Sequence, residues 1–197
     1  MKSEKITLGD ITLGDDFPCL VIPEGCDNHM GSVARAKEMA SAAKEAGAKI
    51  IKWQLHLPHE EMVKDEAVTA SEVALAEFGS LWHFYQKFTL SVDDHHELKA
   101  YCDKIGIQYF CTPFSLKAAE ILNEMGIVGF KIGSGETDDL PMIEEVAKFG
   151  RPMIVSTGMT DLNDIDVTVE TIKSAGTPLA LAHCMSIYAG QKAHQLN

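Results

Sequence analysis

The stretch that decides the fold runs from residue 127 to residue 158 and reads IVGFKIGSGETDDLPMIEEVAKFGRPMIVSTG. It opens on a short apolar run at Val128–Ile132, continues with helically spaced apolar residues from about Leu140 to Phe149, and closes on a second apolar run at Pro152–Val155. Nearly all-apolar runs joined by a helix are typical of a parallel sheet covered by helices. The stretch therefore predicts one β/α/β unit, whose helix ends at Gly150.

The same alternation extends over the whole chain. Strands are predicted to begin near residues 19 (Cys19–Ile22), 49, 107, 128, 152 and 178, and further helices are predicted over Ser32–Ala46, after Ser91, over Leu116–Met125 and over Leu162–Ser174. Ahead of them, Ile-Thr-Leu-Gly-Asp occurs twice in tandem, which predicts a β-hairpin within residues 1–18. Both an open doubly wound sheet and a barrel fit this order, and a complete eight-unit barrel needs about 250 residues. We expect a single α/β domain over residues 1–197 with about six β/α units.

The composition excludes several classes of protein. Of 197 residues, 46% are hydrophobic and 23% are charged, as is ordinary for a globular protein. The 17 Lys plus Arg against 29 Asp plus Glu give a formal net charge of -12, a sign that repels nucleic acid and anionic lipid. Long apolar runs and a signal-peptide block are absent, so we expect a cytoplasmic protein that binds neither nucleic acid nor membranes. Five cysteines without a close pair predict reduced thiols.

Polar side chains follow the predicted strands. In parallel α/β folds the carboxyl ends of the strands meet at one edge, where reactive groups collect. The residues placed there are Glu24, Lys52, Gln54, Thr112, Lys131, Ser134, Glu136, Ser156, Ser186 and Tyr188. Two lysines with several hydroxyls suit an anionic small molecule, because they supply charge and hydrogen bonds to phosphate or carboxylate oxygens. The two glutamates can move protons, although pairing of either lysine with a glutamate as a structural ion pair is the alternative.

The histidines give weaker signals. We expect five of the histidines to lie on the solvated surface: His56, His59, His83, His95 and His96. His29 is either a ligand or a loop anchor, and His183 at a strand end can bind metal, phosphate or a backbone carbonyl. Scattered histidines do not define a metal site, so these residues by themselves predict none.

Six segments, in order, resemble the N-acetylneuraminate (sialic acid) synthase family, which includes legionaminate and pseudaminate synthases. They are Pro23-Glu24 with Asn28-His29-Met30-Gly31, Ala46 to Gln54, Cys111 to Ser115, Phe130 to Glu136, Ile154 to Met159, and His183 to Tyr188. The resemblance spans essentially the whole chain. It implies a TIM-type (β/α)8 barrel preceded by a hairpin.

The resemblance also implies a reaction, in which the methylene carbon of phosphoenolpyruvate attacks the aldehyde of open-chain N-acetylmannosamine or a related N-acylated sugar. A nine-carbon 2-keto acid forms and phosphate is lost. The family's phosphoenolpyruvate ligands would correspond to Lys52, Thr112, Lys131, Ser134 and Ser156, and the sugar and water would face Glu24, Gln54, Glu136 and Tyr188. Glu136 would act as the acid or base, and a divalent manganese or magnesium ion would polarise the aldehyde.

The chain departs from the family pattern at three positions and at its end. Cys26 occupies a position where glycine is usual, Ala189 one where proline is usual, and Ser186 one where asparagine is usual. Ser186 is still expected to contact the substrate. The family's two metal-ligand histidines would lie beyond Asn197, and its C-terminal antifreeze-like domain would be absent. We therefore expect a truncated synthase, or a shortened form that completes its barrel as a homo-oligomer, because an open array leaves strand edges exposed.

Two other functions compete with this one. A Schiff-base aldolase would use Lys52 or Lys131 as a desolvated amine nucleophile. A non-catalytic sugar-binding, phosphate-binding or assembly protein would keep the anion pocket without the metal. Borohydride trapping with pyruvate would favour the aldolase, whereas phosphate release from phosphoenolpyruvate would favour the synthase.

Overall fold

The computed structural model describes residues 5–64 and 79–185. A hairpin of two short strands precedes an alternation of strands and helices. The strands are β1 (Ile6–Leu8), β2 (Ile11–Leu13), β3 (Ile50–Leu55), β4 (Gln108–Pro113), β5 (Phe130–Ile132), β6 (Met153–Ser156) and β7 (Leu179–Ala182). The helices are α1 (Val33–Glu45), α2 (Pro58–Glu61), α3 (Leu81–Phe88), α4 (Val92–Ile105), α5 (Leu116–Glu124), α6 (Leu140–Lys148) and α7 (Leu162–Ser174).

The strands β3 to β7 form one parallel sheet in chain order. Strands that are neighbours in sequence are also neighbours in space, so the chain winds in one direction, as in a barrel, and does not reverse as in a doubly wound sheet. The longest pairing joins β3 to β4, from Ile50 opposite Gln108 to Leu55 opposite Pro113. The predicted α/β fold with an N-terminal antiparallel hairpin is confirmed.

The predicted first strand at Cys19–Ile22 is wrong. The segment has no regular strand structure, and its parallel pairing with β3 is confined to a single bridge between Glu24 and Lys52. At that bridge the Lys52 N–H donates to the Pro23 carbonyl at 2.9 Å. Because Pro18 and Pro23 bound the apolar run and proline has no N–H to donate, a longer ladder does not form here.

The two faces of the sheet pack against different elements. One face contacts the helices in the main core, which includes the fully buried Trp53 and Phe130. On the opposite, inner face, Ile50 and Phe110 are buried against Leu8 of the hairpin. We call β1 and β2 together the hairpin floor. Side chains alternate along a strand, so Ile50 and Phe110 lie on the inner face. The hairpin floor covers them in the amino half of that face and leaves the carboxyl half to other residues.

Helix ends follow the predicted capping signals. Ser32 begins α1 by accepting a hydrogen bond from the Arg35 N–H, and Ser91 and Asp94 form a reciprocal capping box at the start of α4. Gly106 ends α4 with a φ of 72°, a left-handed conformation that favours glycine. These caps fix where the loops leave the helices, and hence where the strands begin.

All five cysteines are unpaired, as predicted. Cys102 and Cys111 are buried in the core, whereas Cys19 is exposed. Within the described part of the chain, no helix is both long enough and apolar enough to cross a bilayer.

Candidate functional site

Predicted site residues occupy the carboxyl half of the inner face, above the hairpin floor. On adjacent strands Gln54 lies opposite Thr112. Lys131 lies between two core residues of β5 and therefore points to the inner face, where its ammonium donates a hydrogen bond to Ser156 at the end of β6. Lys52 lies on the same face of β3, two residues before Gln54. Parallel register thus brings side chains from four strands to one edge.

Lys52 forms an ion pair at the start of this edge. Its Nζ lies 2.8 Å from Oε2 of Glu24, and its side chain is 9% exposed against 54% for Glu24. The Cys26 thiol donates to the same oxygen at 2.8 Å. Burial raises the pKa of Cys26 to about 12, so the thiol stays protonated as a donor. Of the two alternatives for Lys52, the ion pair is therefore present, and it leaves the Glu24 carboxylate facing solvent.

Lys131 occupies a less solvated position. Its Nζ donates to the Ile132 carbonyl and to the Ser156 hydroxyl oxygen. Burial, assisted by the positive charge of Lys52, lowers the pKa of Lys131 to about 8. The Cys184 thiol also donates to the Ser156 oxygen, at 3.2 Å. Because that oxygen accepts twice, the Ser156 O–H remains able to donate to a ligand.

The Glu136 carboxyl lies directly over the backbone of Gly133. A Cβ added to Gly133 would lie 2.1 Å from Glu136 Oε2. Burial raises the pKa of this carboxyl, and Oε2 has no hydrogen-bond partner among the described residues. Thr137 secures the loop by donating to the carbonyls of Gly133 and Ser156, at 2.9 and 2.6 Å. Glu136 is therefore held at the site in a setting that favours its protonated form.

A second buried oxygen at this edge also lacks a partner. Thr112 is 2% exposed, and its hydroxyl makes no hydrogen bond to any residue in the described ranges. Ser134, by contrast, accepts from the Gly158 N–H at 3.2 Å. Because a buried polar group without a partner is costly, the Thr112 hydroxyl and the Glu136 carboxyl together indicate a place for a polar ligand.

We expect Gly133→Ala to displace the Glu136 carboxyl with little effect on the fold. The new methyl group would meet the mobile end of one side chain, so the free energy of unfolding should change by no more than about 0.5 kcal/mol. Moving the carboxyl out of its buried position should lower its pKa toward the ordinary range. Carbon-13 NMR titration of Glu136 measures this change. Gly135→Ala is the control, because nothing lies within 4 Å of its Cβ position; equal titration curves in both variants would contradict the prediction.

Sequence reasoning missed a buried histidine beside the site. His56 was expected on the surface, but it is 1% exposed, so that prediction is wrong. Its ring stacks between those of Tyr85 and Phe114, with centroids 3.9 and 4.0 Å away. Its Nδ1 lies 3.0 Å from Glu61 and its Nε2 lies 3.5 Å from Asp27. No local pattern reveals this position, because its neighbours come from four separate segments.

The surface prediction is also wrong for His95. This residue is 1% exposed, and its Nδ1 lies 2.7 Å from the Tyr109 hydroxyl. Burial lowers the pKa of His95 to about 3, so the ring is neutral. A signal was available, since His95, Leu98 and Cys102 share the buried face of α4 at helical spacing. Exposure is confirmed for the remaining three, His59, His83 and His96.

Other predicted residues have mixed outcomes. Ser186 and Tyr188 lie outside the described residues. His29 is fully buried and its Nδ1 accepts from the Gly31 N–H at 3.1 Å, so it acts as a loop anchor. His183 is exposed at the end of β7.

A metal ligand set is missing from the described residues. Across residues 5–64 and 79–185, no three His, Cys, Asp or Glu side chains are placed to hold an ion together. The exposed carboxylate of Glu24 is already paired with Lys52. These residues therefore do not fit the divalent ion that the resemblance implies.

Comparison with known proteins assigns the chain to a family. The model of the NeuB family matches residues 39–197, which is more than half of the sequence. The chain belongs to the NeuB family. NeuB-family relatives include the sialic acid, legionaminic acid and pseudaminic acid synthases, as the sequence motifs predicted.

Three similar proteins illustrate the NeuB-family relationship. An uncharacterised protein of Methanocaldococcus jannaschii is 36% identical over 94% of this chain and 51% of its own length. The N,N'-diacetyllegionaminic acid synthase of Legionella pneumophila is 31% identical over 89% of this chain and 51% of its own. The crystal structure of N-acetylneuraminic acid synthetase from Leptospira borgpetersenii, in complex with citrate, has a TM-score of 0.84 and 27% identity over 99% of this chain and 64% of that chain. This NeuB-family chain thus spans about half the length of the curated relatives it matches.

Proposed function

We propose that this chain binds phosphoenolpyruvate and carries the corresponding part of a sialic acid synthase-type condensation. The other substrate is N-acetylmannosamine or a related N-acylated sugar, and the products are a nine-carbon 2-keto acid and phosphate. One observation carries the proposal: the ammonium groups of Lys52 and Lys131 lie on the same inner face, close enough for one to lower the pKa of the other. Like charges held together in this way suit a ligand with two anionic groups.

The hydroxyls at the same edge complete the proposed anion site. Ser156 keeps a free O–H donor and the buried Thr112 hydroxyl lacks a partner. Phosphoenolpyruvate carries a carboxylate and a phosphate, and their oxygens accept both kinds of donor. Binding would give the Thr112 oxygen a partner and would raise the pKa of Lys131 by placing negative charge beside it.

Glu136 supplies the proposed proton-transfer group. The methylene carbon of phosphoenolpyruvate forms a bond to the aldehyde carbon, and the aldehyde oxygen takes up a proton. Water then adds to the former enol carbon with loss of a proton, the bond from that carbon to the phosphate oxygen breaks, and the remaining hydroxyl proton passes to the departing phosphate as the ketone forms. A buried carboxyl with a raised pKa can give the first proton and take the second. Both of these proton transfers thus use a group that this chain holds.

A Schiff-base aldolase remains the second candidate, because one observation favours it. The lowered pKa of Lys131, about 8, makes a neutral and nucleophilic amine accessible near neutral pH. In that reaction the amine would add to the carbonyl of a keto acid and lose water to form an imine. The positive charge of Lys52 contributes to this lowering of the pKa of Lys131.

One set of assays separates these functions. Calorimetric titration should detect binding of phosphoenolpyruvate, and addition of N-acetylmannosamine should release inorganic phosphate, measured with and without manganese. Borohydride with pyruvate should leave the protein mass unchanged. A covalent adduct that is lost in Lys131→Ala would establish the aldolase, binding without phosphate release would indicate a non-catalytic binding protein, and no binding would overturn the proposal.

A further inference from the structure

A buried group of side chains beside the site has no part in the steps above. It consists of His56, the carboxylates of Asp27 and Glu61, and the rings of Tyr85 and Phe114, and we call it the His56 cluster. The side chains of His56 and Glu61 are only 2% and 5% exposed. A titratable ring in this position affects the charge of whatever lies next to it.

The contacts favour the charged form of His56. Its Nδ1 lies 3.0 and 3.1 Å from the two Glu61 oxygens, and its Nε2 lies 3.5 Å from Asp27 Oδ2. Both ring nitrogens therefore face carboxylates, an arrangement that only an imidazolium, with two N–H donors, can satisfy. Burial opposes the charge, but the hydrogen bond to Glu61 and the nearby Asp27 carboxylate outweigh it and raise the pKa of His56.

Titratable groups reach His56 from several elements. Glu61 belongs to α2, Asp27 to the loop before α1, and Glu136 to the loop after β5; weaker effects come from His29 and His95. Both of those histidines have lowered pKa values, mainly through burial, and so add no charge near neutrality. The charge of the cluster is therefore set by one imidazolium and two carboxylates.

Phe114 connects the cluster to the proposed proton-transfer group. One of its neighbours is the His56 ring, at 4.0 Å between centroids. Its Cε1 also lies 3.8 Å from the position that a Cβ would take at Gly133, and the Glu136 carboxyl lies beside that same position. The charge of His56, like that of Lys131, lowers the pKa of Glu136 against the effect of burial, whereas the charge of Glu61 raises it.

We infer that His56 is a positioning residue for Glu136: fixed between two carboxylates and two aromatic rings, it holds a positive charge that stabilises the ionised form of Glu136 against the effect of burial. The inference deepens the proposed function, on which its catalytic meaning rests. In the proposed reaction Glu136 gives a proton in one step and takes one from water in the next, so it is ionised between them, and the imidazolium stabilises that form.

The experiment is a carbon-13 NMR titration of the Glu136 carboxyl in the free protein, assigned with Glu136→Gln. In His56→Gln the midpoint should rise by about one pH unit, because a positive charge is lost and the Glu61 carboxylate remains. In the double variant His56→Gln with Glu61→Gln, the Glu136 midpoint should return toward the wild-type value, because the positive charge of His56 and the negative charge of Glu61 are both removed. His96→Gln, an exposed histidine on α4, is the matched control and should leave the midpoint unchanged.

Loss of packing alone would not restore the midpoint in the double variant, so the pattern separates charge from structure. An unchanged midpoint in His56→Gln overturns the inference. If that variant does not fold, proton NMR of the wild-type ring decides, because His56 must titrate above its ordinary pKa of about 6.5. The titration needs no substrate, so a shifted midpoint without phosphate release would refute the proposed function and leave the charge effect established.

Discussion

Replacing Lys131 with alanine should weaken phosphoenolpyruvate binding by about 10- to 150-fold. The variant loses a charged hydrogen-bond donor in a largely buried position, which is worth roughly 1.5 to 3 kcal/mol. Lys52 and Ser156 remain, so binding is reduced and not abolished. Calorimetric titration measures the change in Kd. The matched control is Lys148→Ala, because that lysine is half-exposed on α6 and pairs only with neighbouring glutamates of its own helix among the described residues.

The pH dependence of binding provides an independent check on the same residue. Because the pKa of Lys131 is lowered to about 8, its ammonium loses its proton as the pH rises through that value. The affinity of the wild-type protein should therefore be highest well below pH 8 and should fall as the pH rises through that value, whereas Lys131→Ala should not show this fall. Equal affinities of variant and wild type would remove Lys131 from the proposed site.

The second large effect concerns stability. Gly25→Ala should lower the free energy of unfolding by about 1 to 3 kcal/mol, because a Cβ at this position would lie 2.4 Å from two ring carbons of the fully buried Trp53. Backbone movement cannot easily relieve the contact, since the Gly25 N–H donates to the Lys52 carbonyl at 2.8 Å. Urea unfolding monitored by circular dichroism measures the loss.

Gly135→Ala again serves as the control for this substitution. Its Cβ would meet no atom within 4 Å, so its unfolding midpoint should match that of the wild type or exceed it slightly. A Gly25→Ala protein as stable as Gly135→Ala would show that the Trp53 ring can move aside. The comparison depends on packing alone and holds whatever ligand the protein binds.

Residues at the ends of strands could be predicted from the sequence because their position follows from local pattern. Lys131 lies inside an apolar run with glycine soon after it, and the alternation of a strand then fixes the face on which it lies. The same reasoning located Lys52 and Ser156. Which lysine would be ion-paired could not be predicted, since the Glu24 contact depends on one bridge to a segment without regular structure.

Two failures have different physical causes. The expected strand at Cys19–Ile22 and the expected surface position of His56 were both read from local composition. Prolines on either side limited the pairing of the first, and contacts with Asp27, Glu61 and Phe114 buried the second. The prolines were visible in the sequence, whereas the contacts of His56 are long-range, override local preference and cannot be measured from a single sequence.

The hairpin floor has a consequence for the order in which the chain folds. Leu8 is synthesised before the sheet, yet it packs with Ile50 and Phe110, and partly with Ile154 of β6. Its apolar side chain must therefore wait for some 150 residues of synthesis before its last partner exists. The hairpin is thus made well before the sheet that it packs against, which gives a nascent polypeptide of this type a prolonged need for protection from aggregation.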